Sequence, residues 1–310
     1  DKGIDAGKVE MFTLDGTYIK TIYSDDPTTG DYFGRRCAIG NDFFLIGSHC
    51  DDDKGTDAGK VEMFATDGTY IKTIYSNNPA ANDRLGLSCA IGSDFILIGS
   101  YLDDDKGTDS GKVEMFTLDG TYIKTIYGNS PTVSDCFGVS CAIGSNFFLV
   151  GSHLDDDKAT AAGKVEMFTL DGTYIKTIYS NNPSASDSFG TSCAIGNDFI
   201  LIGSSLNDDK ATDTGKVEMF NYSQNIVDTA TNKYIVTNGN ARISTSEKKY
   251  GTGSLYFDGN GDYLSIPASD DCAFGTGDFT IECWVKFSNS LNGEPGFLQI
   301  SNSSNGLSTD

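Results

Sequence analysis

Residues 111–127 read GKVEMFTLDGTYIKTIY, and this stretch decides the fold. Its first six residues recur along the chain at a constant spacing of 52 residues. The copies begin at Gly7, Gly59, Gly111, Gly163 and Gly215. Self-similarity at such a period indicates a repeat architecture, in which one structural unit is used several times in succession.

One repeat, residues 76–127, contains four short stretches typical of β-strands. Residues 85–91 are small and apolar, and residues 95–100 are apolar on both faces, which predicts a central strand. Residues 112–116 alternate polar and apolar side chains, the pattern of a half-buried strand. Residues 122–127 alternate again and are rich in residues that favour strands.

Turn signals separate these four strands. Gly92-Ser93-Asp94 predicts a tight turn between the first two, and Asp119-Gly120 predicts a hairpin between the last two. An acidic loop, residues 103–111, lies between the second and third strands. Four antiparallel strands in 52 residues predict an all-β fold whose unit is one blade of a β-propeller. The strand pattern excludes a helical solenoid, and the hairpins disfavour a β-helix.

The number of blades is open on sequence grounds. Residues 1–23 supply the third and fourth strands of one blade, and residues 180–220 supply the first three of another. Complete blades are predicted at residues 24–75, 76–127 and 128–179. Either a small propeller closes by joining the two partial blades, or the chain is a fragment of a longer array. The start of the sequence inside a blade favours the fragment.

The order of these elements resembles the FG-GAP repeat, which builds the β-propeller of integrin α-subunits and of many bacterial and viral surface proteins. The Phe-Gly pair is present as Phe33-Gly34, Phe137-Gly138 and Phe189-Gly190, with Leu85-Gly86 as a variant. A Gly-Ser pair stands where the family has Gly-Ala-Pro, at Gly47-Ser48, Gly99-Ser100, Gly151-Ser152 and Gly203-Ser204. The resemblance covers residues 1–220 and implies a propeller, but one fold hosts many functions.

A second domain is predicted at residues 221–310, where the repeat stops. The segments GTGSLYFDG at 251–259 and FTIECWV at 279–285 resemble neighbouring core strands of a laminin-G-like, concanavalin A-like jelly roll. Short alternating strands and glycine-rich turns independently favour a β-sandwich. The resemblance implies that the N-terminal part of such a domain follows the propeller.

The chain is strongly acidic, with 44 Asp and Glu against 22 Lys and Arg and a net charge of −22. Nucleic-acid binding needs a basic footprint and is not expected. Attraction to an anionic membrane surface is not expected either, and no apolar run reaches the roughly 18 residues of a membrane-spanning helix. This composition suits divalent cations or a salty medium.

Eight cysteines do not form an evident disulfide framework. Four of them, Cys37, Cys89, Cys141 and Cys193, occupy the same strand position in successive repeats. Bridging equivalent positions would need Cα atoms within about 7 Å. We therefore predict that they are small buried apolar residues. Irregular spacing leaves one bridge open among Cys50, Cys136, Cys272 and Cys283.

The acidic loops are the candidate metal sites. Ca²⁺ takes six to eight oxygen ligands, often from carboxylates clustered on a turning loop. The alternative is a solvated turn in which Asp side chains bind their own backbone. The integrin-type calcium loop lies between the first two strands, where this chain has only a tight turn, and Ala161 interrupts one copy. The candidate Ca²⁺ ligands are Asp51, Asp53, Asp57, Asp103, Asp105, Asp109, Asp155, Asp157, Asp209 and Asp213. The turn at 258–262 is a further candidate.

Catalytic signatures are missing from the sequence. The chain has two histidines, His49 and His153, and the same place in the other repeats holds Tyr101 and Ser205. No zinc-ligand set, catalytic triad or phosphate-binding loop is present. Glu282 and Trp284 sit in the predicted jelly-roll strand and are interpreted as structural. We predict a protein that is not an enzyme and that needs no cofactor other than calcium.

Two sets of tyrosines recur with the repeat. One set follows the Asp-Gly turn and the other ends the fourth strand: Tyr18, Tyr70, Tyr122 and Tyr174, and Tyr23, Tyr75, Tyr127 and Tyr179. If the fourth strand is outermost, these rings lie along the propeller rim. They either pack against the exposed sheet edge, which we favour, or form a contact surface.

Together these features predict a non-catalytic adhesion or recognition protein on a cell or virion surface or otherwise outside the cell. Its expected partners are cell-surface glycans or proteins, with calcium dependence and an oligomer both open. One alternative is a purely structural spacer or decoration protein. Another is the non-catalytic part of a larger surface enzyme.

Overall fold

The structure is a computed structural model that describes residues 2–196 and 199–221 and five short strands between residues 226 and 265. The chain divides into two compact units, Asp1–Tyr222 and Ser223–Asp310. Every regular element among the described residues is a β-strand, and the described part contains no helix. This confirms the all-β prediction for that part of the chain.

The first unit consists of five antiparallel sheets, which we name in chain order. The N-terminal sheet contains β1 (Val9–Phe12) and β2 (Tyr18–Ile22). Sheet 1 contains β3 (Arg36–Ile39), β4 (Phe43–Ser48), β5 (Lys60–Ala65) and β6 (Tyr70–Ile74). Sheet 2 contains β7 (Leu85–Ile91), β8 (Phe95–Ser100), β9 (Lys112–Thr117) and β10 (Tyr122–Ile126).

The last two sheets of this unit repeat the pattern. Sheet 3 contains β11 (Phe137–Ile143), β12 (Phe147–Ser152), β13 (Lys164–Thr169) and β14 (Tyr174–Ile178). Sheet 4 contains β15 (Phe189–Ile195), β16 (Phe199–Ser204) and β17 (Lys216–Asn221). In every sheet the strands pair in chain order, as in the blades of a propeller. The predicted unit of four hairpin-connected strands is confirmed.

Local turn chemistry produces these hairpins. In sheet 2, Gly120 adopts a φ of 77°, and its N–H donates to the carbonyl of Thr117 over 2.8 Å. A side chain at that φ would be strained, so glycine suits the position. At the same end of the sheet, the N–H of Gly92 donates to the carbonyl of Phe95 over 2.9 Å and closes the turn between β7 and β8.

Consecutive sheets pack face to face through apolar side chains. One cluster joins Leu45 and Met63 of sheet 1 to Ile96 of sheet 2, and a second joins sheets 2 and 3. The backbones approach closely where Gly99 faces Gly138, because a Cβ on Gly99 would lie 2.2 Å from the Gly138 carbonyl oxygen. The Gly-Ser pair of one repeat therefore packs against the Phe-Gly pair of the next.

The third strand differs from the sequence prediction. Alternation predicted that Lys112 and Glu114 face solvent, but residues 112–116 are all buried. The same strand in sheet 4, β17, alternates in the opposite sense: the apolar Val217 and Met219 are 66% and 63% exposed, and Lys216 and Glu218 are less exposed. The prediction was wrong for the inner sheets because both polar side chains there have buried partners, described below.

The cysteine predictions are confirmed in part. Cys37, Cys89, Cys141 and Cys193 are all free thiols, as expected, and so are Cys50 and Cys136. However, Cys37 is exposed and the other three of the repeated set are only partly buried. They lie on the first strand of each sheet, which has a neighbour on one side only. Cys272 and Cys283 lie outside the described residues.

The second unit is described only as short strands. These are β18 (Ile226–Asp228), β19 (Lys233–Asn238), β20 (Arg242–Ser244), β21 (Ser254–Tyr256) and β22 (Tyr263–Ser265). They form one sheet in the order β18-β19-β22 and a pair β20-β21. The segment at 279–285, with Glu282 and Trp284, and the turn at 258–262 lie outside the described residues. The jelly roll therefore stays a prediction.

Candidate functional site

In sheets 1, 2 and 3 a buried lysine forms ion pairs with aspartates of the acidic loop. In sheet 1, the Nζ of Lys60 is 2.6 Å from Oδ2 of Asp51 and 3.1 Å from Oδ2 of Asp53. The side chains of Lys60 and Asp51 are each 1% exposed. Burial raises the pKa of the Asp51 carboxyl, and the lysine offsets part of that rise. A charge this deeply buried is stable only when it is paired.

Sheets 2 and 3 repeat this ion pair and sheet 4 lacks it. The distance from Nζ of the lysine to the first aspartate is 2.6 Å for both Lys112–Asp103 and Lys164–Asp155. In sheet 4, Asn207 replaces that aspartate, and Lys216 becomes 17% exposed beside Asp209. Among the described residues there are thus three copies of the cluster with a buried lysine–aspartate pair and one copy without it.

The glutamate of the third strand accepts hydrogen bonds from the loop that precedes the first strand of the same sheet. Glu62 has a fully buried side chain, and its Oε1 accepts a hydrogen bond from Ser24 Oγ over 2.7 Å. Both of its carboxylate oxygens accept from the backbone N–H of Asp25 over 3.2 Å. Burial raises the pKa of Glu62, while these bonds favour its charged form. Glu114 accepts the N–H of Asn77 in the same way, over 3.0 Å.

The tyrosine that ends the fourth strand binds the same loop. The hydroxyl of Tyr75 donates to Asp53 Oδ2 over 2.8 Å, and the Nζ of Lys54 lies 4.6 Å from the ring centroid. Tyr127 and Tyr179 make the equivalent bonds in sheets 2 and 3. Burial and the bond to Asp105 raise the pKa of Tyr127 to about 12. These rings are part of the loop structure.

The other set of tyrosines packs on its own sheet, as favoured from the sequence. The ring of Tyr70 meets Phe64 edge to face at 5.8 Å, and Tyr174 meets Phe168 at 6.0 Å. The Tyr70 hydroxyl also lies 2.8 Å from Oγ1 of Thr73. These contacts cover the rim side of the third strand and leave the rings partly exposed.

The structure places the ten predicted calcium ligands in three settings. The first aspartates, Asp51, Asp103 and Asp155, pair with the buried lysines. The third aspartates, Asp53, Asp105, Asp157 and Asp209, each contact the lysine of their own sheet from a more exposed position. The later aspartates, Asp57, Asp109 and Asp213, have a left-handed backbone and donate their N–H to the loop's second aspartate.

In the structure these loop carboxylates have a protein cation as their partner. The carboxylates converge on an ammonium group and not on one another. Among the residues that the structure describes, no group of three or more His, Cys, Asp or Glu side chains is arranged to hold a metal ion. The calcium assignment of these loops therefore stays a sequence-based prediction.

Three positions meet wherever one sheet passes to the next, and we call them the junction positions. The first precedes the Phe-Gly or Leu-Gly pair, the second follows the second strand, and the third is the later residue of the acidic loop. The backbone N–H of the first donates to the carbonyl of the third on the preceding sheet, as in Arg84 to Asp57 over 3.1 Å. The members are Tyr32, Arg84, Cys136 and Ser188; His49, Tyr101, His153 and Ser205; and Asp5, Asp57, Asp109 and Ala161.

The junction of sheets 1 and 2 is the most polar. The guanidinium Nη2 of Arg84 is 3.4 Å from Asp57 Oδ2, and the ring of His49 is 5.8 Å from that of Tyr32. His49 is 8% exposed. Burial, with the positive charges of Arg84 and Arg35, lowers the pKa of His49 to about 4. The imidazole is therefore neutral at pH 7.

The other two junctions share this backbone but not its chemistry. The junction of sheets 2 and 3 combines Tyr101 and Asp109 with the buried thiol of Cys136. Ala161 and Ser188 meet at the junction of sheets 3 and 4, and burial alone lowers the pKa of the nearby His153. Sequence reasoning noted the variation at the histidine position but did not identify the junction. Comparing the repeats position by position identifies it.

Comparisons with known proteins agree with the repeat unit. The profile described as "FG-GAP repeat" matches residues 17–64, 70–116 and 174–220, so the chain carries FG-GAP repeats. Among solved structures, the Neurospora crassa Pan2 WD40 domain is similar with 12% identity and a TM-score of 0.42. That similarity covers 72% of this chain and 62% of the WD40 chain. No curated protein matches the sequence.

Proposed function

We propose that this chain is a non-catalytic adhesion or recognition protein that acts outside the cell or on a virion surface. Its partners in this proposal are glycans or proteins. The FG-GAP repeats support it, because repeats of this kind are typical of extracellular proteins. The described residues also include no helix that is long and apolar enough to cross a membrane.

The observation that carries the proposal is where the repeats differ. The lysine cluster, the Asp-Gly hairpin and the fourth strand are nearly identical in the sheets, whereas the residue before the Phe-Gly pair changes from Tyr32 to Arg84, Cys136 and Ser188. A rigid framework that presents different side chains from one backbone position is suited to recognition. A spacer would need no such difference between its copies.

A variant in which all junctions carry the same side chains, which we call the levelled variant, tests the proposal. Six substitutions give every junction the serines that sheet 4 carries at the first two positions: Tyr32→Ser, Arg84→Ser, Cys136→Ser, His49→Ser, Tyr101→Ser and His153→Ser. Binding of the labelled chain to glycan arrays and to intact cells is compared before and after. We expect saturable binding that the levelled variant loses while its circular dichroism and thermal melt stay close to the parent.

The control places six substitutions on exposed residues of the Asp-Gly hairpins, at the opposite end of the sheets. This variant should bind like the parent. Unchanged binding by the levelled variant, or no saturable binding by the parent to any surface tested, would contradict the proposal and favour the spacer.

Calcium dependence is a separate proposal that rests on the number of loop carboxylates. Its test is a thermal melt in excess Ca²⁺ and in EDTA. A ligand that binds only the folded state at about 100 times its Kd adds roughly 2.7 kcal/mol of stability. A rise in Tm that EDTA reverses is the expected result if calcium displaces the lysines from Asp53, Asp105 and Asp157. An identical Tm in both media would reduce the loops to lysine-paired turns.

A further inference from the structure

Positive charge is concentrated at one junction of this acidic chain. The sequence has four arginines and a net charge of −22. Three of the four, Arg35, Arg36 and Arg84, lie close enough to His49 to lower its pKa. The fourth, Arg242, belongs to the second compact unit. The junction of sheets 1 and 2 is thus a local cationic site on a negatively charged protein.

Two buried nitrogen atoms at this junction have no hydrogen-bond partner among the described residues. They are Nδ1 of His49 and Nε of Arg84. His49 is 8% exposed, so its Nδ1 is withdrawn from bulk water as well. A buried polar atom without a partner costs free energy unless a bound group supplies one. Nδ1 of His153 in sheet 3 is unpartnered as well, so the feature particular to the junction of sheets 1 and 2 is the second such atom, Nε of Arg84. Asp57 is the carboxylate that contacts Arg84, at 3.4 Å, and it engages only Nη2.

We infer that the junction of sheets 1 and 2 binds a saccharide that carries a single carboxylate or sulfate group. The inference rests on the proposed recognition function and names its ligand class. Guanidinium groups bind such oxyanions through paired hydrogen bonds, and the planar group favours two-point contact. Arg35 and Arg84 supply the charge from the two sides of the junction, and His49 lies between them in chain order on sheet 1.

Aromatic rings beside the arginines favour a sugar over a simple anion. Tyr32 is 46% exposed and lies against His49, with ring centroids 5.8 Å apart. Tyr101 lies next to Arg84 in the same cluster. The apolar face of a sugar ring packs on a tyrosine ring, and the tyrosine hydroxyl remains free for a hydrogen bond. The two kinds of side chain together match an acidic sugar.

The overall charge of the chain favours one anionic group over many. A polyanion would extend beyond the junction, towards the exposed aspartates of the neighbouring loops, and would be repelled there. A single carboxylate stays within the roughly 8 Å over which the arginines act at physiological salt. The site is also single among the three junctions that join sheets 1 to 4, because Cys136 and Ser188 replace the arginine at the other two.

The first experiment uses the two histidines as reporters at constant pH. Imidazole resonances of His49 and His153 are followed by NMR while glucuronic acid is added, with glucose as the neutral analogue. We expect glucuronic acid to shift the His49 resonance saturably and to leave His153 unchanged. Glucose should bind at least about tenfold more weakly, the loss expected without one charged hydrogen bond. Galactose 6-sulfate against galactose repeats the comparison for sulfate.

The second experiment uses the chain's own repeats as a source of substitutions. Arg84→Ser installs the residue that sheet 4 carries at this position, where the backbone has the same left-handed conformation. Arg35→Thr does the same with the residue at position 191. Each should weaken glucuronic acid binding about tenfold or more. Arg242→Ser removes the arginine of the second unit and should leave binding unchanged.

Failure of this inference is distinguishable from failure of the proposed function. If the chain binds cells or neutral glycans but His49 does not respond to either acidic sugar, the ligand class is wrong and recognition stands. If acetate and sulfate alone bind as tightly as the acidic sugars, the site is a simple anion site and the saccharide assignment is overturned. A His49 response that Arg84→Ser abolishes supports the inference even where no cell surface is bound.

Discussion

The buried lysine clusters and the junction positions are close together in each repeat. The clusters have the same residues in three sheets, whereas the junction residues change from sheet to sheet. Lys60, Lys112 and Lys164 have the same partners at nearly the same distances in three sheets. A few residues away, the junction changes from Arg84 to Cys136 to Ser188 on an unchanged backbone. The clusters hold charges away from water, and where Asn207 replaces the aspartate in sheet 4 the lysine becomes partly exposed. The junction accepts side chains of different size and chemistry, although Cys136 and Ser188 are both buried.

Of the variants that test this comparison, removal of a buried lysine should lower stability the most. Lys112→Met leaves the carboxylates of Asp103 and Glu114 buried without their cation. Breaking a buried pair by removing one partner costs about 3–5 kcal/mol. We expect the free energy of unfolding, measured by urea denaturation, to fall by that amount.

The matched control for this variant is Lys216→Met in sheet 4. There Asn207 replaces the buried aspartate and the lysine side chain is 17% exposed. We expect a loss of about 1 kcal/mol or less, as for exposed ion pairs. Equal losses for the two variants would mean that the cluster does not stabilise the inner sheets through its buried charges.

Substitution of a glycine at the contact between two sheets should have the next largest effect on stability. Gly99→Ala places a methyl group 2.2 Å from the backbone carbonyl oxygen of Gly138, so the two sheets must separate. Overpacking of this kind costs about 1–3 kcal/mol. In Gly203→Ala the new Cβ meets the hydroxyl of Ser192 on the same sheet, which can rotate away. Thermal melts of both variants should show a clearly larger loss for Gly99→Ala, and the reverse order would contradict the packing of Gly-Ser against Phe-Gly.

Strand positions could be predicted from the sequence, whereas the partners of charged residues could not. β7 and β8 have the predicted bounds because their apolar runs and turns are local signals. Lys112 and Glu114 alternate with apolar residues and were predicted to face solvent, but a neighbouring sheet and a loop 34 to 37 residues away bury them. In β17 the alternation is inverted, because the apolar Val217 and Met219 are exposed while Lys216 and Glu218 are less so. The period of a strand predicts its faces, and long-range packing decides which face is buried.

The candidate site shows the same limit. Ten aspartates were chosen for calcium because their spacing is visible in the sequence, and their lysine partners were not considered. The arginines of the junction are far apart in sequence, since Arg35 and Arg84 belong to different repeats. Only the packing of sheet 1 against sheet 2 brings them to His49. Comparison among the repeats could have flagged position 84, but not what it contacts.

A loop hydrogen bond that sheet 2 lacks should give a smaller effect. Asp31 and Asp135 each accept bonds from a threonine N–H and hydroxyl, from Thr28 and Thr132, at 2.5–2.7 Å. Asp83 has only the N–H of Ala80, at 2.7 Å. Burial raises the pKa of Asp83 to about 6. Ala80→Thr should restore the second bond and add about 1 kcal/mol at pH 7.

The pH dependence provides the check for Ala80→Thr. The carboxyl titrates near 6 when folded and near about 3.9 when unfolded, so the folded state binds the proton more tightly. Its contribution to stability is therefore present below pH 4 and is lost as pH rises to about 6. The added hydroxyl favours the charged form and should flatten this fall. A gain that is the same at pH 4 and pH 7 would contradict the hydrogen-bond explanation.

Changing a junction residue should have the smallest effect on stability. The ion pair of Arg84 with Asp57 is 29% exposed on both sides, and pairs of this kind contribute little. Arg84→Ser also removes a buried Nε that has no partner among the described residues, which offsets part of the loss. We expect urea denaturation to show a change of about 0.5 kcal/mol or less, against several for Lys112→Met. A loss of 2 kcal/mol or more would make Arg84 part of the framework, and its replacement by Cys136 and Ser188 in the next sheets would then have to be explained by compensating contacts there and not by recognition.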